Sequence, residues 1–316
     1  MSELKINQIL SSNFYGKFKI LGFEKGKKET LVTIKFIKSN NIYTIPKSRV
    51  ISGGISDSIY EEENFMSKIY LQNCGDSLKV IEKTDIKTDN SSNYLYRCQF
   101  QKYPCEVLAR KIHILNGHIF NPMKPSYINI GFQGIGKYSF SLNKKISSIW
   151  KNILDRCYRN EDKRYKFYGA KGVEVCNEWL NFQNFAAWYE ENSSWNINNY
   201  KLDLDKDILA NINYLETKIY SPDTCLLIPS DLNGFLLGDN LNCGLKQNKN
   251  NTYYVAIKNK DTIHRYGSFN TFKEAKQVYA KEKYKIWKEL IEKYDLPNDL
   301  KEKLLKYDFS WSWLLI

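Results

Sequence analysis

Residues 201–209 read KLDLDKDIL, which sets Asp203, Asp205 and Asp207 at every second position, alternating with Leu202, Leu204 and Lys206. On an extended strand this spacing puts three carboxylates on one face. Carboxylate oxygens are the donors that hard divalent cations such as Mg²⁺ or Mn²⁺ take, so the segment is a candidate metal site. A half-exposed strand end with merely solvated carboxylates has the same pattern, and both readings stay open. An amine set among three carboxylates stays an ammonium, which suits Lys206 to clamping a phosphate rather than to acting as a general base. None of the three histidines lies in this segment: His113 and His118 come well before it, and His264 well after.

A second set carries binding chemistry. Lys246, Lys249, Lys258, Lys260 and Arg265 are interleaved with Tyr253, Tyr254 and Tyr266, and His264 adjoins Arg265. Cations supply contacts to phosphate, and a small sheet can present them with aromatic side chains to a DNA groove. A lysine-rich but functionless surface is the alternative. The whole chain leans the same way, with 47 Lys and Arg against 35 Asp and Glu and a formal net charge of +12, a balance that favours a polyanionic partner such as double-stranded DNA.

At 316 residues the chain has room for two or three domains, and its 15% aromatic content excludes disorder as the main state. There is no apolar run of membrane-spanning length, and the opening MSELKINQIL carries charges where a signal peptide needs an apolar stretch. The expectation is a cytoplasmic protein that contacts no membrane. Seven cysteines with no CxxC pair argue against a disulfide framework and an ordinary zinc ribbon. Cys157, Cys176, Cys225 and Cys243 read as small core residues.

The elements that must position these groups show in the periodicity. Lys17 to Ile20 and Val32 to Phe36 alternate apolar with polar, as strands do. Leu78 to Ile81 and Tyr94 to Phe100 repeat the plan, with Ile112 to Gly117 standing where the first copy has Arg49 to Gly54, which predicts an internal duplication. GFQGIGK at 131–137 lacks the phosphate-loop spacing and reads as a linker. Ile149, Trp150, Ile153, Leu154 and Cys157 recur at helical spacing, and so do Trp179, Phe182, Phe185, Ala186 and Tyr189. Near the end, two short strands precede a T-x-x-E capping box, Thr271 with Glu274, and a long helix. The apolar tail, Trp311, Trp313 and Leu314 to Ile316, is expected to fold back onto the body or to dock a partner protein.

Several segments in order carry a family resemblance: Trp150-x-x-Ile153-Leu154-x-Arg156-Cys157-Tyr158, YGAKGVEVCNEW (168–179), NFQNFAAWYEEN (181–192), LDKDIL (204–209), YSPDTCLLIP (220–229) and Leu232-Asn233. Together they resemble the HNH endonuclease-like proteins of bacteriophages. Residues 250–290 are similar to the APETALA-type, integrase-like DNA-binding domain that follows the HNH-like unit in such proteins, and the N-terminal β repeats also look like their front part. The resemblance implies a multidomain α+β protein. Residues 1–62 and 63–135 would be two small β modules, the second with a linker, followed by an HNH-like ββα-metal unit at 136–242 and a three-stranded sheet plus helix at 243–316.

It also implies an activity, metal-dependent nicking or cleavage of duplex DNA. Asp205 and Asn233 would hold a divalent ion, Mg²⁺ or Mn²⁺, with no organic cofactor, and Asp205, Asp207 or bulk solvent would accept a proton. Two departures stand out. Lys206 occupies the position of the catalytic histidine, and the position of the Asn that orients this histidine falls near Thr217. These departures also fit a catalytically silent DNA-binding regulator or anti-defence factor. A further alternative is a protein-binding phage factor that acts through its N-terminal modules or its tail.

Overall fold

The structure is a computed structural model and describes residues 3–88, 93–214, 218–237, 244–260 and 262–310. Thr217, Cys243 and the 311–316 tail lie outside the described residues. The fold is mixed α+β with several small sheets, arranged in two compact units, residues 1–121 and 122–316. Among the described residues no helix is long and apolar enough to cross a membrane.

The first unit is built twice on one plan. The first copy is a four-stranded antiparallel sheet, β1 (Ile9–Ser12), β2 (Gly16–Lys25), β3 (Thr30–Phe36) and β4 (Ile42–Pro46), followed by the short helix α1 (Lys47–Ser52). After α2 (Ser58–Met66) come β5 (Ile69–Leu71), β6 (Ser77–Lys87), β7 (Tyr94–Phe100) and β8 (Glu106–Arg110) in the same order, then α3 (Lys111–Leu115). The alternation seen in the sequence selects the buried face: Phe18, Ile20, Val32, Ile34 and Phe36 in one copy, Leu78, Val80, Tyr96, Cys98 and Phe100 in the other.

The match extends to irregularities. Ladder register shifts between Ile20 and Gly22 and again between Val80 and Glu82. Gly53 and Gly117 stand at φ +68° and +72°, the left-handed conformation that ends a helix without a Cβ penalty, and each is tied to a β1 or β5 neighbour, Asn13 N–H to Gly53 O at 3.0 Å and Asn73 N–H to Gly117 O at 2.8 Å. Gly117 therefore corresponds to Gly53, one residue earlier than the sequence comparison sets it. A buried polar residue closes each copy: Asp57 accepts hydrogen bonds from Asn41 Nδ2 (2.8 Å) and Tyr43 Oη (2.7 Å), and Asn121 Nδ2 donates to Asp76 (2.8 Å).

The second unit starts with the GFQGIGK stretch, which is part of the core rather than a linker. Phe132 bridges to Asn181, and a Cβ on Gly131 would lie 2.6 Å from the Trp150 ring. Helices α4 (Lys144–Tyr158), α5 (Asn177–Leu180) and α6 (Phe182–Ser193) pack Trp150, Trp179, Phe182 and Phe185 together, with Trp150 Nε1 donating to Trp179 O at 2.6 Å. Between α4 and α5 lie two 3₁₀ turns, Tyr165–Phe167 and Gly169–Lys171, and the strand β9 (Glu174–Val175). The chain continues through β10 (Leu202–Asp205), α7 (Asp207–Ile212), β11 (Ile219–Tyr220), β12 (Leu226–Pro229) and α8 (Ser230–Leu237), with β10 antiparallel to β12 and β11 parallel to β9.

The C-terminal part is the antiparallel sheet β13 (Gly244–Gln247), β14 (Tyr253–Asn259) and β15 (Thr262–Phe269), with α9 (Phe272–Ile291) across one face and α10 (Asn298–Leu305) behind it. The Thr271–Glu274 capping box forms as the sequence predicts. Ile228, Leu232 and Phe235 share a core with Leu245, Val255, Ile257, Tyr279 and Trp287, and Phe235 stacks on Trp287 at 6.1 Å. Helix α8 thus serves two layers, β10–β12 and α9.

Candidate functional site

Strand β10 pairs with β12 from Leu202 opposite Pro229 to Asp205 opposite Leu226, and α8 follows β12 directly. This strand–strand–helix arrangement brings Asp205, Lys206, Asp207 and Asn233 to one cleft of about 540 Å³. Asp203 lines it as well, but the three carboxylates are engaged by different partners. Asp203 is taken by α8, accepting from Ser230 Oγ at 2.8 Å and Asn233 Nδ2 at 3.3 Å. Asp205 Oδ1 accepts the backbone N–H groups of Asp207 and Ile208, both at 2.8 Å, and so caps the start of α7. Asp207 belongs to α7, where its exposed carboxylate forms an ion pair with Lys206.

The electrostatics follow from this packing. Burial, and then the neighbouring Asp207 charge, push the Asp205 carboxyl up to about 6. The Lys206 side chain turns inward and leaves the residue only 8% exposed, so its ammonium is held from inside the fold. Beneath the cleft, burial raises the Cys157 and Cys225 thiols to about 12 and Cys176 to about 11. Buried among apolar neighbours and held this far from ionisation, these thiols pack as core residues and are poor nucleophiles.

One atom of the cleft is unsatisfied. Asn233 Oδ1 is buried without a hydrogen-bond partner, an acceptor position that a cation or a bound donor would complete. Among the described residues no group of three or more His, Cys, Asp and Glu is placed to hold a metal ion. Mg²⁺ commonly takes only one or two protein oxygens and fills its remaining positions with water and phosphate, so Asn233 Oδ1 with the second oxygen of Asp205 fits that modest requirement.

Sequence reading missed the opposite wall, which is basic. Arg156, on α4, lies in the cleft with Nη1 donating to Tyr220 Oη at 3.1 Å and its guanidinium 5.1 Å from the Tyr168 ring. Arg164, just before the first 3₁₀ turn, donates to Asn152 Oδ1 at 3.2 Å and to Asp162 at 2.6 Å. The cleft is therefore lined by carboxylates and by two guanidiniums, held rigid by aromatic stacking and by hydrogen bonds, with Arg164 already paired to Asp162. Such a wall suits a phosphate, which accepts planar paired donors. The available signal was weak: Asn152 and Arg156 stand one turn apart on α4, but so do other polar residues of this amphipathic helix.

The C-terminal cluster separates into two faces. Leu245, Val255 and Ile257 pack against α9, so alternation turns Lys246, Tyr254, Ala256 and Lys258 to the other face. The register sets Ser268 opposite Tyr254, Arg265 opposite Ala256 and Ile263 opposite Lys258, and Tyr254 opposite Lys246. Lys246, Tyr254, Lys258 and Arg265 thus share the face turned away from α9, around the buried Ala256, and no described residue of that face is acidic. Tyr253 and Tyr266 pack on the α9 side instead. His264 is exposed and opposite Ile257. Lys260, at the β14–β15 turn, pairs with Asp231 at 2.9 Å.

Comparison of the chain with models of protein families, with curated proteins and with solved structures gives no match.

Proposed function

We propose that the protein binds duplex DNA, with the open face of the β13–β15 sheet as its main contact surface. The observation that carries this reading is the register, which gathers Lys246, Tyr254, Lys258 and Arg265 on one face with no carboxylate among its described residues, while α9 packs against the other face. A preformed cationic surface of this kind neutralises phosphates without losing its own order. The cleft of Arg156, Arg164, Lys206 and Asn233 adds a site for a single backbone phosphate, as in the HNH-like proteins that the sequence resembles. Substituting Lys258 and Arg265 together by Gln tests the reading, since binding to a duplex should weaken at least tenfold while the melting temperature is retained.

A second reading, cleavage of the bound strand, is favoured by the buried unpartnered Asn233 Oδ1. In this reading Asn233 and Asp205 hold a divalent ion, which supplies charge neutralisation at the phosphate, while Arg156 and Arg164 orient that phosphate. Lys206, turned into the fold and paired with the exposed Asp207, does not act as the general base. Plasmid nicking with Mg²⁺ or Mn²⁺ that disappears in Asn233→Ala supports cleavage. Binding without nicking leaves a protein that holds DNA and does not cut it.

A further inference from the structure

The two copies in the first unit share one backbone plan but differ in surface charge. On the first copy Lys19 stands directly opposite Lys35, flanked in the same row by Ile9 on β1 and Ile42 on β4. This row lies on the face opposite the buried Phe18, Ile20, Ile34 and Phe36. Lys17 is on the same face, and so are Thr33 and Thr44, whose hydroxyls are 3.0 Å apart. The carboxylate of this face, Glu24, is at its far end opposite Leu31. Among the described residues neither Lys19 nor Lys35 is in an ion pair.

Like charges directly across a ladder destabilise a sheet, and no described residue of the first unit compensates this pair. The second copy shows that the fold does not need it. The positions of Lys17, Lys19 and Lys35 are held there by Ser77, Lys79 and Gln99, with Glu106 next to Gln99 and Arg97 paired to Glu82 at 3.3 Å. The asymmetry runs through the copies: residues 1–57 carry ten Lys and Arg against four Asp and Glu, residues 58–121 eight against eight.

We infer that the open sheet face of the first copy, centred on Lys17, Lys19 and Lys35, is a second DNA-backbone contact, and that the second copy is its electrostatically neutral support. This inference rests on the DNA reading of the C-terminal sheet. The occupant is a duplex phosphate backbone because the face presents ammonium groups on adjacent strands, with hydroxyl groups beside them. The contact is independent of sequence. Because the two units are one chain, it strengthens binding by raising the effective concentration of the second contact once the first has formed.

The test uses the full-length protein and a mixed-sequence DNA duplex followed by fluorescence anisotropy over a range of salt concentrations. Lys19→Gln with Lys35→Gln should weaken binding several-fold at low salt and make the slope of log K against log [salt] shallower by about 1.8, at about 0.9 for each phosphate that is no longer neutralised. The melting temperature should stay the same or rise, because a repulsion is removed. Lys79→Gln, at the matching position of the second copy, should change neither affinity nor slope. An unchanged slope in the double variant, or an equal loss in Lys79→Gln, overturns the inference while leaving the C-terminal reading intact. A wild-type protein that binds no duplex overturns both.

Discussion

Lys206 and Asp207, neighbours in the chain, form an ion pair whose two ends lie in different surroundings: the Lys206 side chain is 10% exposed and the Asp207 side chain 66%. The fold has thus drawn an amine inward at the junction of β10 and α7 and left its partner at the surface. Removing the partner and removing the amine should therefore have unequal consequences.

Asp207→Asn leaves a buried ammonium without its counter-charge and should cost about 1–3 kcal/mol of stability. Lys206→Met keeps the volume and removes the charge, and should stay within about 1 kcal/mol of the wild type. Urea unfolding of both variants measures the difference. Equal losses would show that the pair contributes as a unit rather than as a charge in need of a partner.

The two buried aspartates of the first unit set its response to acid. Burial works to raise the Asp76 carboxyl, but the N–H groups of Lys102, Tyr103 and Ser77 and the Asn121 amide outweigh it and hold its pKa below the ordinary carboxylate value. For Asp57 burial is likewise outweighed, by Ser39, Asn41, Tyr43 and the Tyr60 N–H. A carboxyl depressed on folding contributes stability above its unfolded pKa of about 3.9, and this is lost as pH falls through the lower folded value. Asp76→Asn should therefore be less stable than the wild type at pH 7, with the gap narrowing below pH 4. A gap of constant size in thermal melts from pH 7 to pH 3 would contradict this origin of the stability.

Asp205 has the opposite sign. Its carboxyl is raised to about 6, so the folded state holds a proton that the unfolded chain releases near pH 4, and stability declines as pH rises from about 4 to 6. Asp205→Asn keeps an oxygen to cap α7 and removes the charge, and should gain stability relative to the wild type at pH 7.5, with the gain absent at pH 4. A gain of the same size at both pH values would remove burial of charge as its cause.

Much of this arrangement was legible in the sequence, and what escaped did so for physical reasons. Period-two alternation located β2, β3, β6 and β7 because each has one face in a core, and Thr271 with Glu274 marked the start of α9 because a helix needs its first N–H groups capped. The same alternation misled at Asp207: the backbone leaves the strand at Lys206, φ −111° and ψ −9°, so the third carboxylate belongs to a helix. Arg156 and Arg164 could not be paired with Asp205 from spacing, since 49 and 41 residues separate them from it and only the packing of α4 on β9 and β11 brings them together. Tyr253 and Tyr266 looked like binding residues by type, but α9 claims their side of the sheet.

Trp287 ties the β13–β15 sheet to helix α8 beside the cleft. It is fully buried, stacks on Phe235 of α8 and donates from Nε1 to Leu304 O at 2.8 Å. Trp287→Ala should cost about 3–5 kcal/mol, and because α8 is shared, the sheet and the β10–β12 layer should lose structure in one transition. Hydrogen exchange that loosens β13–β15 while β10 and β12 stay protected would show that the two are separate cooperative units.

The central claim is that a cationic sheet face binds duplex DNA, and the salt dependence of binding tests it most directly. The wild-type protein should give a steep linear fall of log K with log [salt], and Lys258→Gln with Arg265→Gln should make that slope shallower by about 1.8 without altering the melting temperature. A wild-type affinity that does not change with salt, or a double variant with the wild-type slope, would contradict the claim.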